Sequence, residues 1–365
     1  MPNDPSAAPS RVILVRHGRS TFNDQGRYQG SSDTATLTPK GIETGQQVGA
    51  YLRPTAIDAV YTSPLMRAQQ TTSEILKVMA DGQPHPITVS HDLREIDLSV
   101  WEGLTYDHVR QHHGAAYECW QQRPNEFRLS NSATTHHFPV RDLYKRAQGF
   151  WHHTLPHQAG KTVLIVSHGG TNHALISTAL GLSPHHHHSL QQSNCGISVL
   201  EFLGQGVQLQ QLNQTTPIRE TLPKLKAGKK GLRLLLLAED SLTRAVCEQV
   251  AHRLAAVKLD FCLSLPSVQP WLSILMHHHP SSIQFETEQT DFLQNWEREL
   301  TRSFHPTDGL VTGLAIAPSI SIQTLLIQTL GGHLRRGAQL PLKPGGLSII
   351  HYPKNHRPVV QAINT

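Results

Sequence analysis

Two histidines follow two of the most apolar stretches of the sequence. VILV at 12–15 runs into Arg16 and His17, and TVLIVS at 162–167 runs into His168. Parallel α/β sheets bind ligands beyond the carboxyl ends of their strands, so neighbouring strands would bring these histidines together. A neutral imidazole is a good nucleophile toward phosphorus, and a second, protonated one would add positive charge. The pair therefore indicates chemistry on a phosphoryl group.

Two more side chains fit the same crevice. Arg67 lies one turn into a helix that follows another strand, and Glu95 follows the strand ITV at 87–89. Paired guanidinium donors match phosphate oxygens, and fixed positive charge stabilises a transferring phosphoryl group. A carboxylic acid such as Glu95 can protonate a leaving alkoxide. Gly169 opens a helix directly after the second histidine, and backbone N–H groups at such a start bind anions.

Alternating strand-like and helix-like segments must position these groups. Strands are predicted at 12–15, 59–62, 87–89, 162–167 and 197–203, and helices at 37–52, 63–79, 140–155 and 169–180. Ser63 with Pro64 marks a helix start, and Gly181 marks a helix end. The alternation predicts a three-layer α/β/α fold with a mostly parallel sheet.

The second half of the chain repeats the first. The matched pairs are 233–242 with 11–20, 260–266 with 58–64, 312–332 with 162–182 and 345–352 with 195–202. Their common order predicts a duplicated fold, although an unrelated α/β domain of similar strand composition is the alternative. We predict a first domain at 1–212, a polar linker at 213–230 and a degenerate second domain at 231–365.

The second copy lacks the reactive residues. The replacements are Ala238 for Arg16, Glu239 for His17, Gln269 for Arg67 and Pro318 for His168. A carboxylate at the place of the first histidine would repel phosphate. We therefore expect a non-catalytic domain that supports the first, forms a dimer interface or acts as a lid.

Composition bounds the class of protein. The 365 residues are 38% hydrophobic and 16% charged, which is typical of a globular protein, and the net charge of +5 suits anionic ligands without requiring nucleic acid. The apolar runs are too short to span a membrane, and MPNDPSAAPS is unlike a signal peptide. The four cysteines form no CxxC motif. We expect a cytoplasmic protein with reduced thiols, and no nucleic-acid or membrane partner.

Histidine is unusually abundant, with 25 residues that include a tetrad at 185–188 and a triplet at 277–279. These runs occur without an HExxH or Cys/His pattern of metal-ligand spacing. We interpret them as exposed or helix-edge positions, and expect neither a metal nor a cofactor.

Four motifs in a fixed order carry a family resemblance. They are LVRHGRSTFN at 14–23, SPLMRAQQT at 63–71, LREIDLSVWEG at 93–103 and VSHGGTN at 166–172. Over about residues 10–205 the chain resembles the histidine phosphatase superfamily, the phosphoglycerate-mutase-like proteins. The resemblance implies that His17 is the nucleophile and forms a phosphohistidine, and that Glu95 acts as general acid and then base. It also implies a phosphoryl clamp of Arg16, Arg67 and His168, and a substrate-binding set of Ser20, Asn23, Arg27, Gly30 and Gly169.

The resemblance leaves the substrate open. WEG at 101–103 favours the phosphatase branch over a phosphoglycerate mutase, because no basic and aromatic stretch follows Glu95. HHFPV at 136–140 and His173 depart from the family near the substrate pocket. Since two-domain chains of this kind resemble phosphatases of photosynthetic organisms, we expect a small phosphorylated metabolite. Phosphoserine is the first expectation, and a sugar phosphate such as carboxyarabinitol 1-phosphate is the alternative. An inactive regulatory protein and a homodimer are also left open.

Overall fold

The computed structural model describes residues 8–79, 85–130, 136–204, 206–287, 309–354 and 356–365. The first half contains strands β1 (Ser10–Arg16), β2 (Ala59–Thr62), β3 (Ile87–Val89), β4 (Leu129–Ser130), β5 (His136–His137), β6 (Thr162–Ser167), β7 (Ile197–Leu203) and β8 (Gly206–Gln214). Its helices are α1 (Thr21–Asp24), α2 (Pro39–Leu52), α3 (Met66–Met79), α4 (Tyr106–His112), α5 (Gly114–Gln122), α6 (Pro139–Thr154) and α7 (Gly169–Leu180).

The second half contains strands β9 (Gly231–Ala238), β10 (Phe261–Ser264), β11 (Ile283–Glu286), β12 (Leu310–Ala317), β13 (Ala338–Gln339), β14 (Leu347–Pro353) and β15 (Val359–Ala362). Its described helices are α8 (Arg244–Leu254), α9 (Gln269–Leu275) and α10 (Ser319–Thr329). Short 3-10 turns, including Pro184–Ser189 over the histidine tetrad, complete the described elements.

The first sheet has the strand order β13-β8-β7-β1-β6-β2-β3, and its centre is parallel. Strand β1 is apolar on both faces, as expected of a strand covered by helices on both sides. Ile13 and Val15 pack with α2 and α3, whereas Val12 and Leu14 pack with α6 and α7. The predicted three-layer α/β/α arrangement is therefore confirmed.

The second sheet, ordered β11-β10-β12-β9-β14-β15, reproduces the first. Arg233 pairs with Thr312 in β12 as Arg11 pairs with Thr162 in β6. On its other side, each of these central strands pairs with an antiparallel strand: β1 pairs with β7, and β9 pairs with β14. This agreement of order, direction and register confirms the predicted duplication.

The two copies share one hydrophobic core. Leu234 and Leu236 on one face of β9 belong to the same cluster of buried residues as Leu180 and Leu209 of the first copy. Strand β13 of the second copy also joins the first sheet beside β8, and so covers a free sheet edge. The copies are therefore packed against each other.

The segment predicted as a linker, 213–230, begins inside a strand that the sequence interpretation missed, because β8 extends to Gln214. The residues after it lie against the protein: Pro223 is buried, and its carbonyl oxygen accepts a hydrogen bond of 2.6 Å from Arg233 Nη2. The segment connects the copies without running free between them, and the domain boundaries stay a prediction.

Other element boundaries follow the sequence closely. The left-handed Gly181, with φ of 79°, ends α7 as predicted, while α3 begins at Met66 rather than at Ser63. Among the helices of the described residues, none combines the length and the apolarity that crossing a membrane requires.

Candidate active site

His17 and His168 face each other at the carboxyl edge of the first sheet. They follow the paired strand ends Arg16 and Ser167, and the His17 N–H donates to the Ser167 carbonyl at 2.8 Å. Their ring centroids lie 5.2 Å apart with an interplanar angle of 56°. Both side chains are buried, at 2% and 0% exposure. The expectation that the two strands bring these histidines together is confirmed.

The imidazole of His17 is held in one tautomer. Its Nδ1 lies 2.7 Å from the carbonyl oxygen of Gly18. A carbonyl can only accept, so Nδ1 carries the proton and Nε2 keeps its lone pair. Burial, and then the charges of Arg16 and Arg67, lower the pKa of His17 well below its usual value. His17 is therefore neutral and nucleophilic at Nε2.

His168 is oriented by Ser63, which the sequence marked only as a helix start. His168 Nε2 lies 2.7 Å from Ser63 Oγ, which already accepts the Leu65 N–H at 3.3 Å. The hydroxyl group can donate to Nε2 or accept from it, and in the arrangement in which it donates, the imidazole proton lies on Nδ1. Among the described residues this buried Nδ1 has no hydrogen-bond partner. It can donate to an oxygen of a phosphoryl group.

The expectation that His168 is protonated is wrong for the protein without a bound anion. Burial, followed by Arg67, His17 and Arg16, lowers the pKa of His168 well below its usual value. Desolvation and neighbouring cations both disfavour a further positive charge. A bound phosphate dianion would raise this pKa, since it supplies the opposite charge.

Backbone carbonyls hold the guanidiniums of Arg67, which is buried, and of Arg16, which is half-buried. Arg67 donates to the oxygens of Ser32 and Gly30, both at 2.8 Å, and Arg16 donates to the oxygen of Gln192 at 2.9 Å. Burial lowers the pKa of Arg67 to about 10 and also lowers that of Arg16. Within the described residues neither forms an ion pair, and both Nε atoms lack a partner. Such buried charge favours binding of an anion.

Glu95 is bound to the N-terminus of α7. Its Oε1 accepts hydrogen bonds from the backbone of Thr171 at 3.0 Å and of Ile96 at 2.8 Å, and its Oε2 accepts from Gly170 at 3.1 Å. The expectation that the N-terminal donors of α7 bind the phosphate therefore needs correction for these two N–H groups of the helix. Arg146, which the sequence did not single out, donates to the Glu95 carbonyl at 3.2 Å.

The predicted substrate-binding residues mostly make supporting contacts. Ser20 caps α1, and Asn23 Oδ1 accepts hydrogen bonds from the Ser20 N–H at 3.2 Å and from Asn194 Nδ2 at 3.0 Å. Arg27 Nη1 donates to the Gly103 carbonyl. Their direct contact with substrate stays a prediction, and the structure assigns them to shaping the loop after His17.

Gly30 is a glycine because of its backbone angle and a close neighbour, whereas a Cβ on Gly169 would make only an ordinary contact. A Cβ on Gly30, whose φ is +50°, would lie 2.2 Å from Glu102 Oε1, and one on Gly169 would lie 3.4 Å from Arg16 Nε. Glu102 Oε1 accepts the Ser31 N–H at 2.6 Å, and so anchors the loop whose carbonyls hold Arg67. Glu102 is thus a supporting residue of the site.

The loop 191–195 and Lys226 complete the crevice and were missed. Asn194 Nδ2 donates to the His17 carbonyl at 3.0 Å, and Lys226 Nζ donates to the Gln192 carbonyl. Since β7 is antiparallel to β1, the loop before β7 lies at the carboxyl end of β1. That strand direction could have indicated the loop, but the sequence carries no comparable signal for Lys226.

The matching edge of the second copy carries acids. Strands β9 and β12 end in the same register, followed by Glu239 and Pro318. Glu239 Oε2 accepts the Ser267 hydroxyl at 2.6 Å, and Asp240 Oδ1 accepts the Ser319 N–H at 2.9 Å. Negative charge at this edge opposes phosphate binding and supports the prediction that the second domain is non-catalytic.

Comparisons with known proteins agree with the geometry of the first copy. Over 253 residues the chain is 39% identical to a 2-carboxy-D-arabinitol-1-phosphatase of Triticum aestivum, which covers 68% of this chain and 49% of the wheat protein. It is 36% identical over 262 residues to a probable enzyme of the same name from Arabidopsis thaliana, with 68% and 52% covered. A putative phosphoserine phosphatase 2 of Hydrogenobacter thermophilus is 26% identical over 210 residues, with 58% and 98% covered.

The chain thus spans about half the length of the two plant relatives. Residues 12–215 match the sequence profile described as the histidine phosphatase superfamily (branch 1), which is more than half of the chain and includes every residue predicted for the site. The facing histidines, the two arginines beside them and this match together show that the chain belongs to the histidine phosphatase superfamily.

Proposed function

We propose that the chain is a metal-independent phosphatase that hydrolyses 2-carboxy-D-arabinitol 1-phosphate through a phosphohistidine. The observation that carries the proposal is the pair of facing imidazoles, with His17 Nε2 unprotonated and His168 Nδ1 without a partner among the described residues. One ring is set to attack phosphorus and the other to bind a phosphoryl oxygen, beside the guanidiniums of Arg16 and Arg67.

In the first step His17 Nε2 attacks the phosphorus atom. The new P–N bond forms as the P–O bond to the sugar breaks, and the leaving alkoxide takes a proton from Glu95. The developing charge on the equatorial oxygens is stabilised by Arg16, Arg67 and His168. The carboxylate form of Glu95 raises the pKa of both arginines and so opposes the effect of their burial, as expected of a neighbouring group of opposite charge.

In the second step water attacks the phosphohistidine. Glu95, now a carboxylate, removes a proton from the water as its oxygen bonds to phosphorus and the P–N bond breaks. Inorganic phosphate leaves, His17 returns to its neutral state, and Glu95 is again protonated. Each group therefore ends the cycle as it began.

The choice of substrate for this proposal follows from the relatives. The plant relatives named for this substrate are 39% and 36% identical, whereas the one named for phosphoserine is 26% identical. The 253-residue wheat alignment is also longer than the family match of 12–215, so similarity continues beyond the first copy. Carboxyarabinitol 1-phosphate therefore has better support than phosphoserine, the first expectation from the sequence.

The test is phosphate release in the presence of EDTA, from carboxyarabinitol 1-phosphate, phosphoserine, 3-phosphoglycerate and para-nitrophenyl phosphate. We expect the first to have the highest kcat/KM, and His17→Ala to lower turnover at least about a thousandfold. His153→Ala, on an exposed histidine, is the matched control. A wild-type protein that releases phosphate from none of them refutes the phosphatase, and isomerised phosphoglycerate would show a mutase.

A trapping experiment tests the intermediate. After brief mixing with para-nitrophenyl phosphate and denaturation, we expect acid-labile phosphate on His17 of the wild-type protein and none on His17→Ala. Labelling at another residue would refute the assignment of the nucleophile.

A further inference from the structure

Lys226 lies beside the phosphoryl site, although it is outside residues 12–215, which match the family. Its Nζ donates to the Gln192 carbonyl, the same oxygen that accepts Arg16 Nη1 at 2.9 Å. Two cationic groups thus lie within one hydrogen bond of a single neutral oxygen. In the described part of the chain Lys226 forms no ion pair, since the nearby Glu220 pairs with Lys224 at 2.7 Å.

The ammonium of Lys226 lies in an open crevice beside the reactive groups. Much of the side chain is accessible to solvent, yet surrounding protein atoms and then Arg16 lower the pKa of Lys226 well below its usual value. A bound anion would favour the charged ammonium, because it supplies the opposite charge. Its charge also contributes to the lowered pKa of His17 and of His173, whose buried Nε2 has no partner among the described residues. The crevice therefore offers an anionic ligand a cationic group in addition to the two arginines.

The second copy holds this segment in place. Arg233 Nη2 donates to the Pro223 carbonyl at 2.6 Å, and Arg233 Nε donates to Gln361 Oε1 at 3.0 Å. Gln361 in turn donates to Gln191 Oε1 at 3.0 Å, and Gln191 Nε2 donates to the Lys224 carbonyl at 2.9 Å. These bonds connect the second copy to the backbone two and three residues before Lys226.

The matching arginine of the first copy has no such role. Arg11 is at the same register position as Arg233, but it forms an exposed ion pair with Glu201 at 3.4 Å. Arg233 is instead 8% exposed and its bonds go to the connecting segment and to β15. The degenerate copy thus has a contact suited to presenting Lys226.

We propose that Lys226 binds the carboxylate of a two-anion substrate beside the phosphoryl group held by Arg16 and Arg67. This inference rests on the proposed function and names the residue that selects its substrate class. A phosphomonoester with a carboxylate a few bonds from its phosphate would fill both cationic positions. An uncharged sugar phosphate would leave the ammonium unpaired.

The experiment compares two substrates that differ by the carboxyl group, 2-carboxy-D-arabinitol 1-phosphate and D-arabinitol 1-phosphate. In Lys226→Met we expect the ratio of their kcat/KM values to fall about 10- to 100-fold, mainly through KM. Lys226→Arg should restore most of the ratio. Lys229→Met, on an exposed lysine of the same segment, should leave it unchanged. A ratio that Lys226→Met does not change refutes the inference, even if both rates fall.

Calorimetric binding of carboxyarabinitol 1-phosphate to His17→Ala separates the inference from the proposed function. We expect Lys226→Met to weaken this binding in the His17→Ala protein about 10-fold or more. If the wild-type protein lacks hydrolysis but binding still depends on Lys226, the proposed function fails and the inference stands. Binding that is independent of Lys226 overturns the inference.

Discussion

Three buried histidines predict a loss of stability in mild acid. His17, His168 and His187 are 2%, 0% and 2% exposed, and burial is the first cause that lowers the pKa of each well below its usual value. In the unfolded chain each of these histidines is protonated near pH 6.5, whereas in the folded protein each is protonated only at lower pH. Stability is therefore fully present above about pH 6.5 and falls as the pH decreases below it.

The slope follows from linkage. Each histidine that is protonated only in the unfolded state costs about 1.4 kcal/mol of unfolding free energy per pH unit. An unfolded histidine is already half protonated at about pH 6.5, so the loss between pH 6.5 and 5.5 is about 1 kcal/mol for each and about 3 kcal/mol for the three. A typical protein has a total stability of about 5 to 15 kcal/mol. Inorganic phosphate should reduce the loss, because it binds the folded protein and raises the pKa of His17 and His168.

Urea denaturation followed by tryptophan fluorescence at pH 7.5, 6.5 and 5.5 measures this slope. His187→Gln should reduce the loss between pH 6.5 and 5.5 by about 1 kcal/mol, because one of the three protons no longer distinguishes the folded from the unfolded state. The exposed His153→Gln is the control and should change it little. An unfolding free energy that stays constant from pH 6.5 to 5.5 would refute the reasoning.

Three substitutions test the supports of the site. Ser63→Ala leaves His168 Nε2 without its hydrogen-bond partner, so we expect kcat to fall about 10-fold or more and stability to fall by about 1–3 kcal/mol. An unchanged kcat for para-nitrophenyl phosphate would contradict this. Glu102→Gln weakens the hydrogen bonds that anchor the loop whose carbonyls hold Arg67. We therefore expect KM for para-nitrophenyl phosphate to rise about 10-fold, and an unaltered KM would contradict this. Arg233→Met should lower the two-substrate ratio measured for Lys226, and Arg233→Lys should recover part of it; lost stability with an intact ratio would show a purely structural role.

The fold was predictable where apolar runs have clear ends. Strands 59–62, 87–89, 162–167 and 197–203 and helix 169–180 lie where the sequence predicts them. These runs are apolar at strand or helix spacing and are bounded by polar, Gly or Pro residues. Strand β8, GVQLQQLNQ, was missed although apolar and polar residues partly alternate in it, because its many glutamines resemble the polar segment that follows.

The candidate site was predictable as a set of chemical groups and less so as a set of contacts. The sequence places His17 and His168 at the ends of neighbouring strands, and the shared register follows from the parallel sheet. The partner of a side chain depends on which elements become neighbours, and nothing local specifies it. For that reason the α7 donors that seemed available to phosphate bind Glu95.

The sequence by itself determined an α/β duplication, a set of phosphate-binding residues in its first copy, and the absence of those residues from the second. Only the tertiary structure decided which contacts position the reactive groups. Ser63 reaches His168 across 105 residues of chain, and Arg233 of the second copy holds the segment that carries Lys226. The physical reason is that strand and helix patterns are set by neighbouring residues, whereas hydrogen bonds between distant side chains depend on how the folded elements pack.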